Sequence, residues 1–148
     1  MNKVDKYEIR EGLLYDPLNH FWLDVSGTTA VIGMSPLIQE TSGSFVAVLF
    51  SNPVTSFKKG ESIGTVEAEK HVGPLKAPLS GTVRLVNEAV INNPRLINEE
   101  PYDGGWMMEI DLSDVSEIKG MITGEKNIKE WFESELKKFD EKGWTAQP

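Results

Sequence analysis

Short apolar stretches alternate with polar breaks along most of the chain. Residues 21–25 alternate as a half-buried strand does, and residues 29–33 return after a turn at residues 26–28. The continuous apolar run at residues 45–50 is short and rich in β-formers, which predicts a fully buried strand. Further strands are expected at residues 62–67, 72–77, 82–86 and 106–112. No helical stretch between them is long enough for a parallel crossover, so the pattern predicts an all-β barrel or sandwich core.

Two segments carry helical signals instead. Ser35 and Pro36 place a serine N-cap before a proline at the first helical position, and Gly43 marks the end of a short internal helix. Between Asn127 and Phe139, apolar residues recur at spacings of three and four, which predicts an amphipathic helix with Asn127 as its N-cap. We expect its apolar stripe to pack on its own domain. A shorter helix is expected to begin at residues 113–115.

A length of 148 residues is enough for one domain with a real core. We therefore expect a single domain over residues 1–148. Its core is expected at about residues 7–112, and a C-terminal helical extension at about residues 113–142. No large exposed apolar face is evident from the sequence, so we expect a monomer.

Composition and charge exclude several classes of function. The formal net charge is −8, from 23 acidic and 15 basic residues, which disfavours binding to nucleic acid and to anionic membranes. There is no cysteine, so any sulfur chemistry must come from a cofactor. His20 and His71 lack a metal-ligand spacing, so no metal site is predicted. No signal-peptide pattern or long apolar run is visible, which makes a cytoplasmic location the default expectation.

Lys70 stands out by its surroundings. The triplet Gly-Thr-Val at residues 64–66 recurs at residues 81–83, and the polar stretch at residues 67–73 lies between these two strand patterns. Lys70 is therefore predicted at the tip of a β-hairpin, where its amine would be exposed and open to modification. Gly81, eleven residues after Lys70, is expected to be a turn residue with positive φ. An exposed lysine in a turn is usually only solvated, so position alone does not assign a function.

Several motifs occur together in one order: His20-x-Trp22, Ala30-Val31-Ile32-Gly33, Glu67-x-x-Lys70, Pro78-x-Ser80-Gly81-x-Val83, Val86-Asn87-Glu88-Ala89, residues 94–102, and Gly104-Gly105-Trp106. Over about residues 15–114 the chain resembles the H protein of the glycine cleavage system, a relative of the lipoyl domains of 2-oxoacid dehydrogenases. The resemblance implies a mainly β barrel-sandwich hybrid fold, with the short internal helix and the C-terminal helices added to it. It also implies lipoic acid in amide linkage to Lys70.

The resemblance further implies roles for the neighbours of Lys70. Glu67 and Gly81 occupy positions that help lipoate-attaching enzymes to recognise the lysine. A surface on which the lipoyl arm rests is implied for five other residues: His20, Phe21, Trp22, His71 and Pro74. For Trp22, plain core packing is an equal alternative.

Two departures from the family pattern concern the cargo of the arm. The family usually has a glutamate where Phe21 stands and an acid where Pro74 stands, and these acids hold the amine of the aminomethyl cargo. A charged amine needs such partners once it leaves water. The changes slightly favour an H-like lipoate-binding protein that serves sulfur oxidation beside a heterodisulfide-reductase-like complex. The alternative is a genuine glycine cleavage H protein, whose partners are glycine decarboxylase, aminomethyltransferase and dihydrolipoamide dehydrogenase.

Two other classes of function compete with the carrier. Glu67, Glu69 and His71 could form an acid–base cluster beside Lys70, but no nucleophile with an oriented base, oxyanion hole or metal accompanies them. A binding module that kept the fold and lost the arm is the second alternative. The sequence favours a non-catalytic carrier with a swinging lipoyl arm.

Overall fold

The computed structural model describes residues 2–4 and 6–143, which are built mainly of β-strands. The strands are β1 (Asn2–Val4), β2 (Tyr7–Ile9), β3 (Leu14–Tyr15), β4 (Phe21–Ser26), β5 (Thr29–Met34), β6 (Phe45–Phe50), β7 (Ser56–Phe57), β8 (Ser62–Ala68), β9 (His71–Lys76), β10 (Gly81–Val86) and β11 (Met108–Leu112). The α-helices are α1 (Gln39–Ser42), α2 (Glu88–Asn92), α3 (Leu96–Glu99) and α4 (Glu125–Glu141). Shorter 3₁₀ segments occupy Pro36–Ile38 and Val115–Gly120.

The strands form a six-stranded sheet in the order β3-β4-β5-β11-β10-β7 and a three-stranded sheet in the order β6-β8-β9, while β1 and β2 pair as a separate two-stranded sheet. The two larger sheets build the core. The pairings within both sheets are antiparallel. Both sheets contribute to one hydrophobic core, in which Leu23 and Ile110 of the larger sheet are buried with Val48 and Val66 of the smaller one. Burying a side chain of this size stabilises the fold by about 1.5–3 kcal/mol. The predicted mainly β architecture is confirmed.

Strand β6 departs from the prediction of a fully buried strand, which is wrong. Phe45 and Val48 are buried, whereas Val46 is 56% exposed and Leu49 is 66% exposed. The three-stranded sheet covers the core with only one face, so side chains on the other face point outward. The register shifts between Phe45 and Ala47, and Val46 and Ala47 are both exposed at this irregularity.

The short internal helix begins and ends as predicted. The Ser35 side chain accepts a hydrogen bond from the backbone N–H of Leu37, and Pro36 follows at the first helical position. At the other end, Gly43 has φ of 71°, a conformation that costs little only for glycine. The segment is a 3₁₀ turn that continues directly into α1.

Helix α4 is present, but the prediction of Asn127 as its N-cap is wrong. The helix begins at Glu125 after Gly124, and the Asn127 side chain instead donates to the carbonyl of Thr123. Its apolar stripe packs on the domain, as predicted, in a second cluster that includes Tyr7, Tyr15 and Phe132. No helix within residues 2–4 and 6–143 has both the length and the apolar character needed to cross a bilayer.

The repeated Gly-Thr-Val triplets lie in β8 of the three-stranded sheet and in β10 of the six-stranded sheet. A Cβ atom on Gly64 would lie 2.2 Å from the carbonyl oxygen of Leu49, and one on Gly81 would lie 2.3 Å from the carbonyl oxygen of Asp111. Both glycines therefore allow a neighbouring strand to approach closely. Gly81 begins β10 and is not among the glycines with positive φ, so the prediction of a positive-φ turn residue is wrong.

Replacing Gly81 with alanine should destabilise the fold, because the new methyl group would overlap the backbone of β11. We expect Gly81→Ala to lower the free energy of unfolding by about 1–3 kcal/mol in urea titrations. Gly12→Ala is the matched control, since nothing lies within 4 Å of its added Cβ. Equal stability of the two variants would contradict the close approach.

Candidate functional site

Lys70 lies at the tip of the β8–β9 hairpin, where the sequence predicted it. The last residue pair of the hairpin is Ala68 with His71, so Glu69 and Lys70 alone form the connection. Two-residue connections are the tightest common hairpin turns. The Lys70 side chain is exposed at this tip.

The tip is fastened to the last residue of α1 and to the loop that follows it. The backbone N–H of Lys70 donates to the carbonyl of Ser42 at 2.9 Å, and that of Glu69 donates to the carbonyl of Ser44 at 3.1 Å. In return, the backbone N–H of Ser44 donates to Oε1 of Glu69 at 2.7 Å. This bond to the ionised carboxylate lowers the pKa of Glu69. The backbone of Lys70 is thereby fixed.

An open cleft of about 850 Å³ lies beside the tip. Its lining includes Lys70, His71 and Pro74 from the hairpin, and His20 and Phe21 from the start of β4. The structure thus brings together five residues that the sequence assigned to the lipoyl arm or its resting surface. The rest of the lining is largely apolar and includes Met34, Ile38, Phe45, Val66 and Leu75, with Asn19, Thr41, Ser42 and the charged Lys76 as polar members. None of the described residues that line the cleft is acidic.

His20 is held in the cleft wall by α4. Its φ of 59° is unusual for a non-glycine residue, and its ring stacks on Trp131 with centroids 4.9 Å apart. Its Nε2 donates to Oε1 of Glu135 at 2.8 Å, and this bond lowers the pKa of Glu135. Glu135 is not among the site residues predicted from the sequence. An acid four residues after Trp131 and four before Phe139, within an apolar stripe, was the available signal.

Three of the predicted site residues do not line the cleft: Trp22, Glu67 and Gly81. Trp22 follows Phe21 on the strand and points to the opposite face, where its Nε1 donates to the carbonyl of Pro101 at 2.8 Å. It therefore packs in the second hydrophobic cluster and does not line the cleft. Glu67 is exposed on β8, whereas Gly81 is buried in β10. Recognition of Glu67 and Gly81 by attaching enzymes stays a prediction.

A family model described as "Glycine cleavage H-protein" matches residues 13–135. The chain belongs to the glycine cleavage H-protein family. Among its relatives, the glycine cleavage system H protein of Bacillus cytotoxicus is 39% identical over 107 residues, which cover 72% of this chain and 84% of that protein. The glycine cleavage system H protein of Bacillus cereus (strain AH187) is 38% identical over 107 residues, which also cover 72% of this chain and 84% of that protein.

A solved structure also resembles this chain and is that of an H protein. The chain is similar to the crystal structure of a glycine cleavage system H protein from Mycobacterium marinum, with a TM-score of 0.66 and 29% identity. The match covers 76% of this chain and 97% of that one. The predicted barrel-sandwich hybrid fold is therefore confirmed.

H-family proteins are non-catalytic carriers with a covalently attached lipoyl-lysine, which confirms the predicted cofactor and carrier class. The site of this chain fits that group. Lys70 offers an exposed amine on a fixed backbone, and the neighbouring cleft has a size and apolar lining that suit an alkyl chain with a sulfur ring.

The bond between His20 and Glu135 predicts a pH-dependent contribution to stability. Because the folded-state pKa of Glu135 lies below its ordinary value of 4.5, the ionised carboxylate stabilises the fold above that pH. This stabilisation is lost as the pH falls through the folded-state pKa. We expect Glu135→Gln to lower the free energy of unfolding at pH 7 by about 1 kcal/mol, the difference between charged and neutral hydrogen bonds.

The difference between wild type and Glu135→Gln should narrow between pH 5 and pH 3, measured by urea unfolding at each pH. Glu133→Gln, an exposed position on the same helix, is the control and should change the stability by less than about 0.5 kcal/mol. A difference that stays constant down to pH 3 would show that the ionised carboxylate is not its source.

Proposed function

We propose that Lys70 carries the lipoyl group and that this chain is the aminomethyl carrier of a glycine cleavage system. The observation that carries the proposal is the single exposed lysine at the hairpin tip, fixed beside an apolar cleft in a chain of the H-protein family. The relatives reported above are named glycine cleavage system H proteins. The sulfur-oxidation role favoured by the sequence analysis has no support among them.

Under this proposal the protein positions the arm and performs no bond-making step itself. The hydrogen bonds to Ser42 and Ser44 hold the backbone of the tip, while the Lys70 side chain stays free to swing. Lys70 would hold the lipoyl group, which when attached would supply a ring disulfide that opens reversibly to a dithiol and can carry the cargo on one sulfur atom. Tethering raises the effective concentration of the dithiol at each partner site.

The apolar cleft would shelter the arm between visits to partner enzymes. Phe21, Phe45 and Leu75 offer surface to its alkyl chain and ring, and burying that surface favours the resting position. A cargo amine would meet only neutral acceptors there, such as the side chains of Asn19 and Thr41. Neutral hydrogen bonds are weaker than those to carboxylates, so this cleft should hold an aminomethyl cargo loosely.

The partners would be the enzymes that load, unload and reoxidise the arm: glycine decarboxylase, aminomethyltransferase and dihydrolipoamide dehydrogenase. Lipoate-attaching enzymes would act on the chain before them. The net charge of −8 should steer the carrier toward basic surfaces on these larger proteins.

Loading from glycine tests the proposal. Lipoylated protein is mixed with glycine decarboxylase, pyridoxal phosphate and glycine, and the carrier is followed by intact mass. We expect the mass increase of one aminomethyl group on the wild type. The control variant Lys76→Arg changes another lysine of the cleft and leaves Lys70 in place, so it should show the same increase. Lys70→Arg should show neither the lipoyl nor the aminomethyl increment, because arginine cannot form the amide.

Two results would contradict parts of the proposal. A lipoyl increment retained by Lys70→Arg would place the modification on another residue. A fully lipoylated wild type that stays unloaded, beside a relative that loads under the same conditions, would exclude the aminomethyl cargo and leave only the carrier role.

A further inference from the structure

The α1–β6 connection, which consists of Gly43 and Ser44, is hydrogen-bonded along both of its edges. On one edge, the backbone N–H and C=O of Ser44 bond to Glu69 of the hairpin tip. On the other edge, Nδ2 of Asn98 in α3 donates to the carbonyl of Gly43 at 3.0 Å, and its Oδ1 accepts from the backbone N–H of Phe45 at 2.9 Å. Successive residues of an extended chain point their polar groups to opposite edges, so this short connection joins Asn98 to the tip.

The two backbone groups on that edge require an amide side chain at position 98. A backbone N–H can only donate and a carbonyl can only accept, so the bond from Phe45 fixes Oδ1 and leaves the amino group for Gly43. A carboxylate of the same shape could accept from Phe45 but has no proton to give to Gly43. A leucine side chain could form neither bond. The chemistry of position 98 is therefore set by the backbone of the connection.

The position of Asn98 is itself well determined. Its neighbour Ile97 is buried in the core that both larger sheets share, and its own backbone carbonyl accepts from Nε2 of Gln39 on α1 at 3.2 Å. Both α1 and α3 have only four residues, and helices this short have little stability of their own. The α1–β6 connection therefore depends on tertiary hydrogen bonds, among which the two to the Asn98 side chain face away from the tip.

We propose that Asn98 is a positioning residue for the lipoyl arm. Its amide holds the α1–β6 connection, and the connection holds the backbone of Glu69 and Lys70. The inference rests on the proposed function only for the role of Lys70 as the attachment site. It adds a residue outside the lining of the cleft to those that determine where the arm begins.

A loosened tip should affect how partner enzymes bind the carrier more than the reaction on the arm. An enzyme that binds the tip in one geometry must order it at each encounter, and that ordering reduces the affinity. The reaction takes place at the far end of the arm and is unchanged once the carrier is bound. Loss of the Asn98 amide should therefore raise the KM for the carrier and leave kcat unchanged.

The first test follows amide hydrogen exchange by NMR in the full chain without lipoate. We expect the N–H groups of Glu69 and Lys70 to exchange at least about tenfold faster in Asn98→Asp and Asn98→Leu than in the wild type at pH 7. Asn87→Asp is the matched control, because the Asn87 side chain also donates to two backbone carbonyls, at a place away from the α1–β6 connection. It should leave both exchange rates near those of the wild type.

Acid should rescue one of the two Asn98 variants. A protonated carboxyl can donate to Gly43 while it accepts from Phe45, so Asn98→Asp should regain slow exchange as the pH falls from 7 to about 4.5. Glu69 keeps its bond to Ser44 over this range, because that bond lowers its pKa. Asn98→Leu has no proton to gain and should stay fast relative to the wild type at each pH.

The second test measures loading of the lipoylated variants by glycine decarboxylase with glycine. At pH 7 we expect Asn98→Asp to raise the KM for the carrier at least about threefold with kcat retained, relative to Asn87→Asp. An unchanged KM beside faster exchange would overturn the role of Asn98 in positioning the arm.

The exchange data can overturn the inference by themselves. Unchanged exchange in both Asn98 variants, equally fast exchange in Asn87→Asp, or no recovery of Asn98→Asp in acid would each show that the amide does not hold the tip. A wild type that gains no lipoyl mass on Lys70 in a lipoylating host contradicts the proposed function instead, and the arm that Asn98 positions falls with it.

Discussion

Three hydrogen bonds join the hairpin tip to Ser42 at the end of α1 and to Ser44 in the loop after it, and they set the geometry on which the site depends. They fix the backbone of Glu69 and Lys70 while leaving the lysine amine in solvent. Gly43 makes the contact possible, because its positive φ ends α1 and a Cβ there would lie 2.9 Å from the Glu69 carboxylate. A helix end, a tight turn and a carboxylate with lowered pKa thus act together to present one side chain.

The cleft and the tip divide two tasks that are both needed in a carrier. Under the proposed function, a fixed tip gives partner enzymes a defined origin for the arm, and the cleft beside it would give the arm a place to rest. Phe21 and Pro74 make the lining more apolar than the acids usual at these positions would. Membership of the H-protein family identifies the type of carrier. Under the proposed function, the lining of the cleft would govern how firmly a charged cargo is held.

Local signals in the sequence predicted the parts of the fold that local chemistry determines. The Ser35 cap, the Gly43 stop and the position of Lys70 between two strands depend on residues adjacent in the chain. The errors concern contacts between distant segments. Leu49 is exposed because its sheet covers the core with one face only, which a run of apolar letters does not reveal.

The candidate site was likewise predictable where it depends on residues close together in the chain, and not where it depends on contacts between distant segments. Residues on the hairpin and at the start of β4 line one cleft as the resemblance implied, but Trp22 faces away because side chains alternate along a strand. The spacing of Glu135 within its apolar stripe marks it as a buried acid, but no spacing rule pairs it with His20, which lies 115 positions away in the chain.

Attachment of the lipoyl group to Lys70 is best tested by peptide mapping of the chain, produced in a host with a working lipoylation system. After proteolysis, fragment masses locate every modified lysine. We expect one lipoyl amide, on the peptide that contains Lys70, and unmodified lysines elsewhere. An unmodified Lys70 in a host that lipoylates its own carriers, or a lipoyl group on a different lysine, would contradict it.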